Sequence, residues 1–572
     1  MLRALRDIGL IFSELSGESD IPIYDPIEAD YVIVLNFNAN GDFVSVELEE
    51  FSKDKLGRYM YKKPKSNNPP GLTPTISLNK SELSKSLNHI KNILKNYKGI
   101  AEIPEIEIKD DDIILSSIEK KLEQGKLKKE KLLLTIKIDN KYIGEIEAFK
   151  KRLEELINQE GRESKAIAVC SVCMQEKEVS GNISPFRFYT IDKPGYIVGG
   201  FKKEISYKNF PLCYDCKKII SFGFHKVREN LKFSIGNSID YYLIPDFILG
   251  KDEVKKRILK ILSTSTKNSN LSERGYNSLM SEEEEILYVL SKEKDVVSLN
   301  FLFLREPTGS NEQVILLYLQ DIYPSRLKQL FAIKKYIEDF FSSEDYRYIF
   351  TYDTIYKFFR ESRFFMEIVD KTFRGYKIEE KFLIPFLLDS IRKSVFDNGN
   401  YISVIRDAFA VFLFVKISTK EVVMENKEIK EVKDIEEFLD SIPVLDSPVK
   451  KGLFLLGALT ESILQIQQRE RGSKPFLKKL KGFKMDQTEI MGLLSDVRDK
   501  LESYEKYYGH NEELFVKTME YLTSADTNWE LNIEQINFYF LAGMARFHEI
   551  KDLIYKSNME DKDGEGNYEE QA

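Results

Sequence analysis

The sequence is poor in the side chains that most often carry chemistry: 572 residues hold four cysteines, four histidines and one tryptophan. His89, His225, His510 and His548 stand isolated, so no histidine pair has the spacing of a metal or acid–base site. There is no GxxxxGK[ST] loop, no GxGxxG after a strand, no GxSxG and no HExxH. With the cysteines accounted for below, no nucleophilic thiol is left over, and a binding protein rather than an enzyme is expected. Long hydrophobic runs are missing too. The most apolar one, Ala408–Val415, is eight residues long between Asp407 and Lys416, whereas a membrane span needs about 20; it reads as a buried helix. Arg3, Arg6 and Asp7 interrupt the N-terminus before an export-type apolar core can form, so a soluble, cytoplasmic chain with no membrane partner is expected. Neither sign of charge dominates: 85 Lys and Arg face 93 Asp and Glu, a net charge of −8. Any nucleic-acid role must therefore rest on local basic patches.

What is present is ample core-forming material. Hydrophobic residues make up 42% of the chain and aromatics 12%, and the length calls for two to four structural units. The fold class expected is multidomain α+β. Tyr31–Phe37, Asn40-Gly41 and Phe43–Leu48 read as a hairpin whose Asn-Gly supplies positive φ. Residues 53–75 carry Pro64, Asn67, Asn68, Pro69, Pro70 and Gly71 and read as an exposed loop. A helix near Lys80–Lys95 and a strand at Leu132–Ile138 follow. After about Lys251 the pattern turns helical, with three- and four-residue spacing in Leu327–Phe341, Ile355–Phe373, Phe382–Val395 and Tyr401–Val415. Ser441–Pro448 reads as a linker. Beyond it, Val449–Gln468, Thr488–Tyr508, Asn511–Leu522 and Ile533–Tyr555 read as a helical bundle. Asp110-Asp111-Asp112 could suggest a metal site, but consecutive side chains diverge and a solvated turn is the better reading.

All four cysteines fall into two CxxC pairs, Cys170/Cys173 and Cys213/Cys216, with 39 residues between them. Two residues between thiolates let both reach one ion, and two such knuckles close a tetrahedral four-sulfur shell. A closed shell leaves no place for a catalytic water, so the expected cofactor is one structural zinc ion. Disulfides do not suit a cytoplasmic chain, and a redox pair would leave the second CxxC unexplained. From residue 160 to 230, twelve Lys and Arg face eight Asp and Glu. Lys193, Lys202 and Lys203 are interleaved there with glycines and aromatics, which suits a nucleic-acid backbone. The same aromatics would equally form the small core of a zinc lobe.

Two further basic stretches stand out. Lys53, Lys55, Arg58, Lys62, Lys63 and Lys65 face Asp54 alone; Arg469, Arg471, Lys474, Lys478, Lys479, Lys481 and Lys484 face Glu470 alone. Both coincide with Pro and Gly loop signals. They are candidate phosphate contacts, with ordinary solvated lysine loops as the alternative.

The order of features resembles the large subunit of type I-B CRISPR interference complexes (Cascade). The likeness rests on the paired CxxC motifs ending in Phe210-Pro211-Leu212-Cys213, on Asp321-Ile322-Tyr323-Pro324-Ser325-Arg326-Leu327, and on Leu453–Lys484. That last stretch includes Leu455-Leu456-Gly457, Gln467 and Gly472-Ser473-Lys474-Pro475-Phe476, and Phe538–Met544 adds to it. Pattern and composition divide the chain into five parts: 1–160, an α/β N-terminal domain; 161–232, the four-cysteine zinc-binding insertion; 233–445, a largely helical remainder; 446–556, a helical bundle that the resemblance makes small-subunit-like; and 557–572, an acidic tail expected to be disordered. The resemblance further implies a non-catalytic subunit of an RNA-guided surveillance complex. Such a subunit reads the target-flanking motif in duplex DNA, supports R-loop formation and recruits a separate helicase-nuclease, while base pairing reads the target. The implied partners are guide RNA, target double-stranded DNA, the backbone and 5′-handle-binding subunits, and separate small-subunit copies, for which an internal start at Met424 is favoured. A metal-dependent nuclease with a degenerate site and a zinc-containing scaffold without a nucleic-acid role remain as alternatives.

Overall fold

The computed structural model describes residues 1–16, 21–62, 71–127, 130–159, 164–181, 186–189, 202–235, 239–248, 252–267, 297–305, 313–343, 346–397, 400–419, 432, 434–525 and 528–566. Two units emerge, one of residues 1–234 and 239–318, the other of 235–238 and 319–572. The class is α+β, with sheets towards the N-terminus and helices towards the C-terminus.

The first unit opens with helix α1 (Leu2–Ser16), the hairpin β1 (Tyr31–Phe37) and β2 (Phe43–Glu50), and a one-turn helix α2 (Leu56–Tyr59). Then come β3 (Ile76–Leu78), α3 (Leu83–Leu94), α4 (Asp111–Gln124), β4 (Leu132–Ile138), β5 (Lys141–Tyr142) and α5 (Glu147–Gln159). The strand order is β2-β1-β4-β3, with β5 on β4; β1 pairs antiparallel with β2 and parallel with β4. As the central strand, β1 buries both faces. Ile33 and Leu35 join Leu134 and Ile136 against Ile90, Ile118 and Phe149 of the helices. Val32 and Val34 join Leu133 on the opposite face with Tyr59, Tyr61 and Tyr142. This parity is the period-two consequence of the pleat.

The hairpin turn differs from a two-residue Asn-Gly turn. Only Gly41 has positive φ, at 88°. Asn38 Oδ1 instead accepts from the Asn40 and Asp42 N–H groups and holds a wider loop. The beginning of the expected loop after Lys53 is ordered structure: a 3-10 turn (Lys53–Lys55) runs into α2, anchored by fully buried Tyr59. Residues 63–70 lie outside those described. Asp111 and Asp112 sit in the first turn of α4, where the helix dipole favours them, and Asp111 is ion-paired with Lys91.

Next, β6 (Lys165–Val169), β7 (Glu176–Ser180) and β8 (Leu212–Cys213) form a small antiparallel sheet leading into α6 (Tyr214–Asn230), which packs on α1. Then β9 (Lys232–Ile235), β10 (Ile239–Phe247), α7 (Asp252–Lys267), β11 (Val297–Arg305) and β12 (Val314–Ile322) follow, in a sheet ordered β12-β11-β10-β9. The turn to helix thus comes after residue 322, not after Lys251. In β11 every position from Val297 to Leu304 is buried, and a run buried on both faces shows neither the strand nor the helix period.

The second unit is helical: α8 (Pro324–Phe341), α9 (Tyr352–Phe358), α10 (Ser362–Arg374), α11 (Glu380–Phe396), α12 (Tyr401–Ser418) and α13 (Ile435–Asp440), then α14 (Pro448–Arg471), α15 (Gln487–Ser503), α16 (His510–Thr523), α17 (Ile533–Met544) and α18 (Phe547–Gly566). The stretch 408–418 is buried throughout α12. Among the described residues no helix is long and apolar enough to cross a membrane. Two expected helices are each broken into two: at Phe359, which has non-helical φ and ψ, and after Met544, where the chain turns to bury Arg546. The expected linker at 441–448 is packed, because Ile442, Val444 and Leu445 are buried. The helix begun at Phe547 runs to Gly566, past the residue-557 start of the expected disordered tail. Extending an existing helix costs far less than starting one. Met424 lies outside the described residues.

Candidate metal centre and nucleic-acid interface

The four cysteines meet because two short backbone devices face each other. Cys170 follows β6, and the chain reverses at once: Cys170 N–H donates to Gln175 O at 2.9 Å and Met174 N–H to Cys170 O at 2.9 Å. Met174 takes the positive φ (58°) the knuckle demands. Ser171 N–H reaches Pro211 O at 2.8 Å and ties this knuckle to the second. There, Cys213 ends β8 at the N-cap of α6 and Cys216 lies in its first turn. Cys170, Cys213 and Cys216 are buried and Cys173 half-buried.

The four sulfurs lie within 4.8 Å of one another, and those of Cys173 and Cys213 are 3.8 Å apart. Tetrahedral zinc with Zn–S bonds of 2.3 Å separates its sulfurs by about 3.8 Å, whereas a disulfide brings them to about 2.05 Å. Electrostatics point the same way. At Cys170 burial pushes the thiol up, but the N–H groups of Cys173, Cys213 and Val172 outweigh it and bring the thiol down to about 7. Burial leads the upward shifts of Cys213 and Cys216, and the charge of Cys170 adds to both. Four thiolates at this spacing need a cation between them, and the α6 N-terminus supplies a built-in positive end at Cys213 and Cys216. The donor set fits one metal ion and is compatible with zinc.

The basic candidates fall into three groups. In the first stretch, Lys55 pairs with Glu49 at 3.2 Å, Arg58 with Glu145 at 3.3 Å and Lys62 with Asp25 at 2.8 Å. Lys53 is exposed, 3.8 Å from Glu28. Lys62 is a structural cation, because Asp25 also takes His225 Nε2 of α6 at 3.4 Å. In the zinc lobe Lys202 is exposed, and Lys203 begins the 3-10 segment Lys203–Lys208. Lys63, Lys65 and Lys193 lie outside the described residues.

The third group, 469–484, is split by geometry. Lys474 turns inward, donating to Tyr401 Oη at 2.7 Å and lying 3.6 Å from buried Glu461. Gln467 Oε1 accepts from Phe476 N–H at 2.9 Å and fastens the same loop. Lys479 pairs with Asp496, Lys481 pairs with Glu489, and Arg471 lies over the Tyr504 ring. Arg469, Lys478 and Lys484 are exposed and have no carboxylate at ion-pair distance among the described residues.

Comparison with known proteins covers most of the chain. Residues 1–155 match the N-terminal domain of the CRISPR-associated protein TM1802 family, 167–322 its central domain and 350–557 its C-terminal domain. The chain belongs to this CRISPR-associated family. No curated protein matches it in sequence. In this TM1802-family chain the cysteine centre lies inside the central domain, and both Arg469–Lys484 and Arg326's contacts at Thr372, Phe373 and Ser418 lie in the C-terminal one. Arg326 itself falls between the matched stretches. Its guanidinium donates to the carbonyls of Thr372, Phe373 (3.0 Å) and Ser418 (2.5 Å), closing the C-terminal ends of α10 and α12. Gly457 and Gly543 face each other's helices, and a Cβ on Gly457 would stand 1.8 Å from Phe540 O.

Proposed function

We propose that this TM1802-family chain is the non-catalytic large subunit of a type I-B RNA-guided CRISPR surveillance complex. Its place is with guide RNA, target double-stranded DNA and the backbone and 5′-handle-binding subunits. It reads the target-flanking motif in duplex DNA, supports R-loop formation and recruits a separate helicase-nuclease. The observation that carries the proposal is the order of three domains of one CRISPR-associated family along a single chain. The cysteine centre supports it: four cysteines placed to hold one metal ion would staple the lobe on which Lys202 is exposed. Arg469, Lys478 and Lys484, exposed and without ion-pair partners, suit the strands of an opened duplex. Separate small-subunit copies starting at Met424 would carry α13 to α18 and hence the same basic stretch.

The test is duplex binding at several salt concentrations. Lys478→Gln/Lys484→Gln is expected to weaken binding and to flatten the log–log salt slope by about 2, one counterion per lost phosphate contact. Lys202→Gln/Lys203→Gln is expected to weaken duplex binding through the zinc lobe. Wild-type affinity and slope in both variants would remove the nucleic-acid part of the proposal.

A further inference from the structure

Exposed aromatic rings and unpaired cations come together where the C-terminal ends of α14 and α15 meet the start of α16 and the body of α18. Arg471 of α14 lies 5.3 Å from the centre of the Tyr504 ring, and Lys500 of α15 lies 5.5 Å from it. After Tyr504 the chain passes Tyr507 and Tyr508 to His510, whose Nδ1 is 3.1 Å from Tyr555 Oη of α18. Lys551 lies 5.6 Å from the Tyr555 ring centre. Tyr508 is 59% and Tyr555 49% exposed, and Tyr508 has no ring partner among the described residues. Arg498, over Tyr507 and Phe515, is engaged by Glu502. Arg469, Arg471, Lys500, Lys506 and Lys551 have no carboxylate at ion-pair distance among the described residues.

Two observations mark this end as polar and positively charged. Tyr504 Oη is buried without a hydrogen-bond partner. His510 is pushed down to about 4, first by burial and then by the positive charges of Lys551 and Arg469. The local field is therefore positive although the whole chain is acidic. Folding has left the Tyr508 ring exposed beside it, and Tyr555 half exposed with the His510 ring 5.4 Å from its own.

We propose that this end of the helical unit is a stacking platform for unpaired nucleic-acid bases. Tyr508 and Tyr555 present ring faces to successive bases, while Arg469, Arg471 and Lys551 hold the phosphates between them. Stacking is indifferent to base identity, because every base has a π face, so the platform takes single strands without reading sequence. It rests on the proposed function and deepens it by naming the ligand that Arg469 and Arg471 would share with the cations and tyrosine rings outside the 469–484 stretch.

The experiment is fluorescence anisotropy on the full-length chain, with a labelled oligothymidylate of about 15 nucleotides and a blunt duplex of equal length. Tyr508→Ala is expected to lower oligothymidylate affinity about tenfold and to leave duplex affinity nearly unchanged. Tyr508→Phe keeps the ring face and is expected to bind as the wild type does. Arg469→Gln/Arg471→Gln is expected to flatten the single-strand salt slope by about 1.4. Tyr508 packs against no ring, so its replacement tests the surface and not the core; an unchanged thermal midpoint confirms this. Wild-type oligothymidylate affinity in Tyr508→Ala and in Tyr508→Ala/Tyr555→Ala would overturn the platform, as would equal losses for single strand and duplex. The two proposals fail separately. If the chain co-purifies with a guide-RNA complex but the tyrosine variants bind normally, only the platform falls; if no complex forms, the proposed function falls whatever the tyrosines do.

Discussion

Lys62 and Cys213 are both residues whose type alone suggests a ligand, and the structure separates them. Lys62 is held by Asp25, and for Asp25 burial alone would raise the carboxyl. The close approach of His225 Nε2 and the pairing with Lys62 outweigh burial and hold it well below the usual carboxylate range. A depressed folded pKa contributes stability that is complete above the unfolded value of about 3.9 and is lost as pH falls through the folded one. Thermal unfolding followed from pH 5 down to pH 3 should show Asp25→Asn less stable than the wild type at pH 5, with the gap closing on acidification. Lys62→Met, by stranding the Asp25 charge, should cost about 3 kcal/mol at neutral pH and leave the salt slope of duplex binding unchanged. For the cysteines, metal analysis of the purified chain should find one zinc per molecule, and Cys213→Ser should lose it and lower the thermal midpoint. The cysteine set was legible in the sequence because its spacing is a statement about geometry. The fate of individual lysines was not, because counting charge along a chain does not reveal that Lys62 meets Asp25 and His225, or that Lys474 turns inward to Glu461.

Among the elements, those with a strict period or a punctuating residue came through best. Strands Tyr31–Phe37 and Leu132–Ile138 match their expected bounds, and the helices expected at Val449–Gln468 and Asn511–Leu522 are Pro448–Arg471 and His510–Thr523. Where an apolar run had no period, as in Val297–Arg305, strand and helix could not be told apart. Where two helices abut, as at Phe359 and Met544, the periodicity continued across a break that only packing imposes. Two contacts in the helical unit explain residues that the sequence marked without a reason. Arg326→Lys keeps the charge but loses the planar fork spanning three carbonyls, and should cost about 2–3 kcal/mol by chemical denaturation. Gly457→Ala drives a methyl into the Phe540 carbonyl, and its cost should be about 3 kcal/mol. A wild-type midpoint in either variant would mean that these helix ends and crossings move freely.

For the molecule as a whole, function rests on membership of a CRISPR-associated family along most of the chain, and on a division of labour inside it. The acidic body packs and pairs its own charges, while a few cations at Lys202 and at Arg469, Lys478 and Lys484 stay outside that economy. Four cysteines placed to hold one metal ion lie in a lobe whose described sheet is only three short strands, a size at which a hydrophobic core alone is marginal. The most direct test of the central claim is a tagged pull-down from cells expressing the neighbouring genes with a repeat-spacer array, read by native mass spectrometry and RNA extraction. A large assembly carrying a uniform short RNA is the predicted result, together with free C-terminal fragments of about 149 residues if translation also starts at Met424. Recovery of the lone full-length chain without RNA would contradict it.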